Sequence, residues 1–235
     1  MTDPTPGADS PLAFTAHELR YLLSLEDSEV SAANGRRLGL TDLPVAGAAS
    51  EEGAASQEGA ASKEGAASKE LVGAGAATLL VRGLAFVRAG RLTLTDETGV
   101  VGYVLTHATT WTEIGLSGVG ITDGALLLTA DGLTLLFTPR PLGIYDVLAV
   151  QPPKTAVDVV LPLAGTFLDQ ADNRLAVVRS GSAQEERSAA VMRTDGARWR
   201  VAVDVPRPGE PELAESAYHD QERDVAMTVL NAALT

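Results

Sequence analysis

The sequence predicts an α+β fold: a central antiparallel sheet made of two similar β units in a pseudo-two-fold arrangement, with helices packed on it at both ends of the chain. Three observations predict it. Between Trp111 and Val150, the apolar runs Ala125-Leu126-Leu127-Leu128-Thr129 and Leu133-Thr134-Leu135-Leu136-Phe137 flank Asp131-Gly132. Asp-Gly there signals a tight hairpin, because a type I′ turn needs positive φ at both central positions. The pattern recurs from Leu175-Ala176-Val177-Val178 through Asp195-Gly196 to Trp199-Arg200-Val201-Ala202-Val203, so the two Asp-Gly pairs are expected to be equivalent turns. Near the start, Leu19, Leu22 and Leu23 fall on one helical stripe.

Taken in order, residues 1–11 are rich in Pro, Gly, Asp and Thr and form a disordered lead-in. Residues 12–235 are predicted to be one domain with a low-complexity insert at about 47–70. Thr15 and Glu18 have the spacing of a capping box that opens the first helix, with Phe14 placed to staple it. In the insert, Gly-Ala-Ala-Ser-x-Glu repeats at a period of six, with Glu52, Glu58, Glu64 and Glu70 in register. Six residues turn a helix by about 600°, so successive glutamates point about 120° apart and no apolar face forms. A solvated, flexible or transiently helical loop is the expectation.

A helix with small residues for close packing follows and ends at Gly83. Residues 84–94 read either as a short hairpin or as a helix-to-loop passage. Thr95 or Asp96 caps the next helix, which runs to Ala108 and delivers the chain to the Trp111 strand. Pro152-Pro153 is a break, and 157–168 stays open between strand and helix across Pro162. After Pro206 to Pro211, residues 212–234 are predicted to form the C-terminal helix, with Leu213, Ala217, Val225, Val229 and Leu230 as its apolar stripe and a polar turn at His219 to Asp224.

Composition narrows the function classes. No apolar run approaches the roughly 18 residues of a spanning helix, and the first residues lack a signal peptide's basic and apolar regions, so a cytoplasmic protein without membrane insertion is expected. The absence of cysteine removes disulfides, thiol catalysis and Cys-ligated metals. A net charge of −13, from 31 acidic and 18 basic residues, opposes nucleic-acid binding. Arginine far outnumbers lysine among abundant Ala, Gly, Val and Leu, a usage typical of high-GC genomes such as those of actinomycetes.

The chemistry-bearing residues are sparse. His17, His107 and His219 have no metal-ligand spacing, and no nucleophile, dinucleotide or phosphate-loop motif occurs. Trp111, Trp199, Phe137 and Tyr145 are expected in the sheet core. No catalytic, cofactor-binding or metal residue is assigned, and a non-enzymatic binding module is favoured. A small hydrolase-type enzyme would require a pocket of converging polar groups, with His107, His219 or the turn aspartates meeting in one cleft. A scaffold or regulatory domain would instead lack an apolar patch beyond the ordinary.

Several segments carry a resemblance. Phe14-Thr15-Ala16-His17-Glu18-Leu19 opens a helix, Leu40-Thr41-Asp42-Leu43-Pro44 follows, Leu79-Leu80-Val81-Arg82-Gly83-Leu84 ends another, and two β units precede a last helix. This succession, spanning most of the chain, resembles the EspG family of actinobacterial type VII (ESX) secretion chaperones. The 47–70 repeat is extra, and the chain is short for that family. The resemblance implies a cytosolic chaperone that binds the apolar tip of a helical PE/PPE-like substrate, or substrate pair, and keeps it soluble before export. It needs no cofactor and is compatible with a homo-oligomer. Leu126, Leu127, Leu128, Leu133, Leu135, Leu136 and Phe137 are the candidate partner-binding residues, because alternation places leucines on both faces of this hairpin.

Overall fold

The computed structural model describes residues 11–40, 58–182, 184–207 and 217–235, and for 58–69 the backbone alone. In chain order the elements are β1 (Leu12–Thr15), α1 (Ala16–Leu23), α2 (Glu29–Arg37), α3 (Glu58–Val81), β2 (Ala85–Arg88), β3 (Arg91–Leu94) and α4 (Asp96–His107). The run β4 (Thr110–Gly118), β5 (Ile121–Ala130), β6 (Leu133–Arg140) and β7 (Ile144–Val150) follows. After it come α5 (Ala156–Asp169), β8 (Arg174–Gly181), β9 (Glu186–Thr194), β10 (Arg198–Val203), β11 (His219–Gln221) and α6 (Arg223–Leu234). A nine-stranded sheet has the order β1-β7-β6-β5-β4-β8-β9-β10-β11, and β2 pairs with β3 as a separate hairpin. The fold class is therefore α+β, with helices packed on a large antiparallel sheet. No helix among the described residues is long and apolar enough to cross a membrane. The sequence predicts a single domain over 12–235, and the chain divides into two compact units.

The first unit comprises Met1–Ala108, Ala130–Leu135 and Arg140–Leu148. The capping box forms as expected: the Thr15 backbone N–H donates to Glu18 Oε2 at 2.8 Å, and the Glu18 N–H donates to Thr15 Oγ1 at 3.3 Å. Phe14, Leu19, Leu22 and Leu23 are buried. Residues 12–15 are a strand, Leu12 opposite Val147 and Thr15 opposite Ile144, which alternation over four residues was too short to signal. Helix α2 is polar, and a buried side chain holds it. Asn34 Nδ2 donates to the carbonyls of Leu105 and Ala108, both at 3.0 Å, and so satisfies the end of α4.

In α3, Gly75 lies against α1 so closely that a Cβ there would stand 2.1 Å from the His17 carbonyl oxygen. The predicted close packing is therefore realised at this glycine. Gly83, at φ +70, ends the helix as expected. Residues 47–57 of the repeat lie outside the described residues. From Glu58 the chain is helix rather than loop, since Ala, Glu and Lys favour helix even without a buried face. The open 84–94 stretch is a hairpin, with Ala89 at φ +50 and Gly90 at φ +74 between the paired Arg88 and Arg91. Thr95 caps α4 by accepting from the Thr98 N–H at 3.4 Å.

The second unit comprises Thr109–Thr129, Leu136–Pro139 and Ala149–Thr235. Its core joins the sheet residues Ile114, Leu116, Leu127, Val178, Val191, Trp199 and Val201 to Val160, Phe167 and Leu168 of α5 and Leu230 of α6. The open segment around Pro162 is thus a helix. Pro162 faces solvent there, and the Thr155–Asp158 capping interaction opens the helix.

Two expectations are corrected in this unit. The polar stretch around His219 is strand β11, with Val201 opposite His219 and Arg200 opposite Asp220, so α6 begins only at Arg223. Ladder hydrogen bonds outweigh helix spacing that no apolar residue supports. Val225 is consequently exposed while Ala226, Leu230 and Ala233 form the buried stripe; Leu213 lies outside the described residues. The Asp-Gly turns also differ. Asp131 and Gly132 are both left-handed, at φ +47 and +81, whereas in the second turn Gly196 and Ala197 are, at φ +72 and +55. That turn has three residues, because Thr194 pairs with Arg198.

Candidate functional site

The predicted partner-binding leucines are almost all interior. Leu126, Leu127, Leu128, Leu135 and Phe137 are buried, and half-buried Leu136 packs with Leu127 against the second unit's core. Both faces of the hairpin are covered by the chain itself, which leaves those five side chains no surface to offer a partner. Leu133, at the turn, is 44% exposed. Of the set, it is the residue able to touch another molecule without rearrangement. The expected core aromatics Trp111, Trp199 and Phe137 are buried, and half-buried Tyr145 donates its hydroxyl to the Leu38 carbonyl at 2.7 Å.

Exposed apolar surface lies elsewhere in the first unit. Leu80 and Val81 end α3, and Phe86 and Val87 stand on β2, which packs against that helix end. Val81 is 88% exposed, Phe86 46% and Val87 64%. Four large apolar side chains within eight residues are thus left to solvent, flanked by exposed Arg82, Arg88 and Arg91. Phe86 and Val87 are adjacent in a stretch that the sequence leaves open between hairpin and helix-to-loop passage; in the structure they stand on opposite faces of an isolated two-stranded hairpin that cannot bury both.

The titratable groups gather in two places. In the first unit, the Tyr103 hydroxyl donates to Asp131 Oδ2, and the Tyr103 ring stacks on His107 with centroids 4.2 Å apart. That hydrogen bond to the Asp131 carboxylate raises the Tyr103 phenol above its ordinary pKa. His107 Nε2 lies 3.5 Å from Glu26 Oε1. His17 is exposed on α1, and His219 belongs to the other unit, on β11.

In the second unit, Arg193 donates to Asp172 at 2.8 Å and to the Asp169 carbonyl at 2.7 Å, covering the end of α5. Arg223 Nε donates to Asp169 at 3.0 Å, and both arginines lie over the Trp199 ring. The Arg223 hydrogen bond holds the Asp169 carboxyl below the usual aspartate value. These contacts pin the end of α5 to β9 and to the start of α6, a structural task. Among the described residues, no group of three or more His, Asp or Glu is placed to hold a metal ion. No protein-family model and no curated protein matches the chain.

Proposed function

We propose that the chain is a cytoplasmic, non-catalytic binding protein similar to the EspG-like type VII secretion chaperones, which holds a helical PE/PPE-like substrate or pair soluble before export. The observation that carries this reading is the exposed apolar group of Leu80, Val81, Phe86 and Val87. It sits on a helix end and a hairpin outside the main sheet, where a partner's apolar helix tip reaches it without disturbing the core. Arg88 and Arg91 beside it suit a partner with acidic residues next to its apolar tip, and the chain's −13 charge keeps such a surface from self-association. Support also comes from the resemblance itself, since its Phe14 to Leu19 and Leu79 to Leu84 segments build the α1–α3 pairing on which the surface rests.

Co-expression with a helical substrate pair tests the proposal. The pair is expected to stay in the soluble fraction with the wild-type chain and to precipitate without it. Equal solubility with and without the chain, or a chain that binds no helical pair, would favour the scaffold or regulatory alternative.

A further inference from the structure

We propose that the second unit carries a site for a small uncharged polyol at the polar end of its sheet. On the face that meets α5 and α6, cross-strand partners form successive rows. Leu116, Ala176, Val191 and Val201 make one apolar row, and Ala125, Ile114, Val178 and Ala189 make the next. The composition then changes within the same strands. The following row is Leu127, Thr112, Ser180 and Arg187, and beyond it Thr110 faces Thr129. The threonines line an open cavity of about 220 Å³, bordered by Ser182, Glu185, Arg187 and Thr235, and the Ser180 hydroxyl beside them donates to the Ala233 carbonyl.

Thr112 is the informative member. It is 4% exposed and lines the cavity, and its hydroxyl makes no side-chain hydrogen bond among the described residues. A valine would fill the same shape without a hydroxyl to take out of water, so packing does not explain the threonine. Gly181 shapes the opening, since a Cβ there would meet the Glu185 carbonyl oxygen at 2.6 Å. Ser182 and Glu185 stand at the edge of the same cavity.

Charge selects the ligand class. Arg187 and Glu185 are paired with each other at 2.9 Å, so neither side chain is left as an unpaired charge for an ion. Hydroxyls both donate and accept, which matches a neutral molecule carrying hydroxyls of its own. At about 30 Å³ per water-sized group, the cavity takes on the order of seven non-hydrogen atoms, the size of glycerol.

Methyl NMR of the threonines, with glycerol as probe and inorganic phosphate as control, tests the site on the full chain. Glycerol is expected to shift the Thr110 and Thr112 methyl signals saturably, and phosphate to leave them in place. Thr112→Val and the exposed Thr110→Val, each confirmed folded by circular dichroism, are expected to weaken glycerol binding by roughly tenfold, read on the Thr129 methyl. Shifts that never saturate, saturation by phosphate instead, or unchanged glycerol affinity in both variants would overturn the proposal. Should Thr112→Val not fold, Thr110→Val alone decides between these outcomes.

Discussion

Glu18 is fully buried, and its Oε2 accepts from Arg82 Nη1 at 2.7 Å across 64 residues of sequence. Arg82 also donates to the Ala13 carbonyl at 2.7 Å, so one guanidinium ties α1 and the edge strand β1 to the end of α3. A bare carboxylate left inside the protein costs far more than a neutral hydrogen bond. Arg82→Ala is therefore expected to destabilise the chain by about 2–4 kcal/mol, discounted from the range for fully buried pairs because the arginine side chain is partly exposed. Adding Glu18→Gln should recover part of that loss. Urea unfolding of the single and double variants reads both, and a silent Arg82→Ala would mean that the pair holds nothing together.

Two glycines of α3 make opposite predictions. A Cβ at Gly75 would collide with the His17 carbonyl, whereas nothing lies within 4 Å of one at Gly73. Gly75→Ala should cost roughly 1–3 kcal/mol through the forced backbone shift. Gly73→Ala should stabilise by about 0.5–1 kcal/mol by removing backbone freedom from the unfolded chain. Thermal unfolding of the two alanine variants should show shifts of opposite sign.

At the turns, Gly132 and Gly196 are left-handed with open space around them. Valine at either should cost about 1–3 kcal/mol from backbone strain alone. Denaturant midpoints measure it, and if both variants matched wild type the turn assignments would be wrong.

Asp169 supplies a pH dependence. Its carboxyl is held below the ordinary aspartate value, first by the Arg223 hydrogen bond. A lowered folded pKa means that the pair's contribution is fully present above the unfolded value, about 3.9, and is lost as pH falls through the folded one. The Tm difference between wild type and Asp169→Asn should thus be largest near neutral pH and shrink towards pH 3. A constant difference would show that the charge is irrelevant to stability.

Much of this fold was legible because local chemistry and tertiary context agree. Thr15 with Glu18, Thr95 and Gly83 each mark a boundary through a backbone requirement that only a few residues meet. What escaped depends on partners distant in sequence. Strand β1 exists through its pairing with β7, β11 through β10, and the polar helix α2 through Asn34 reaching carbonyls more than 70 residues away. What covers the candidate leucines escaped for a related reason. Consecutive leucines at 126–128 correctly implied that both faces of the hairpin are apolar, but alternation does not say whether the chain's own helices or another molecule cover them. In the structure the chain's own residues bury most of them, and exposed apolar side chains gather instead on the β2 hairpin, whose two-stranded isolation only the topology reveals.

The central claim is that Phe86 and Val87 contact a helical partner. Isothermal titration calorimetry with a purified helical substrate pair compares wild type with a Phe86→Glu, Val87→Glu double variant shown by circular dichroism to be folded. Both side chains are already exposed, so the variant should keep its stability while losing affinity by about a hundredfold or more, the scale of a hot spot of roughly 3 kcal/mol. The same Kd for both proteins would contradict the claim.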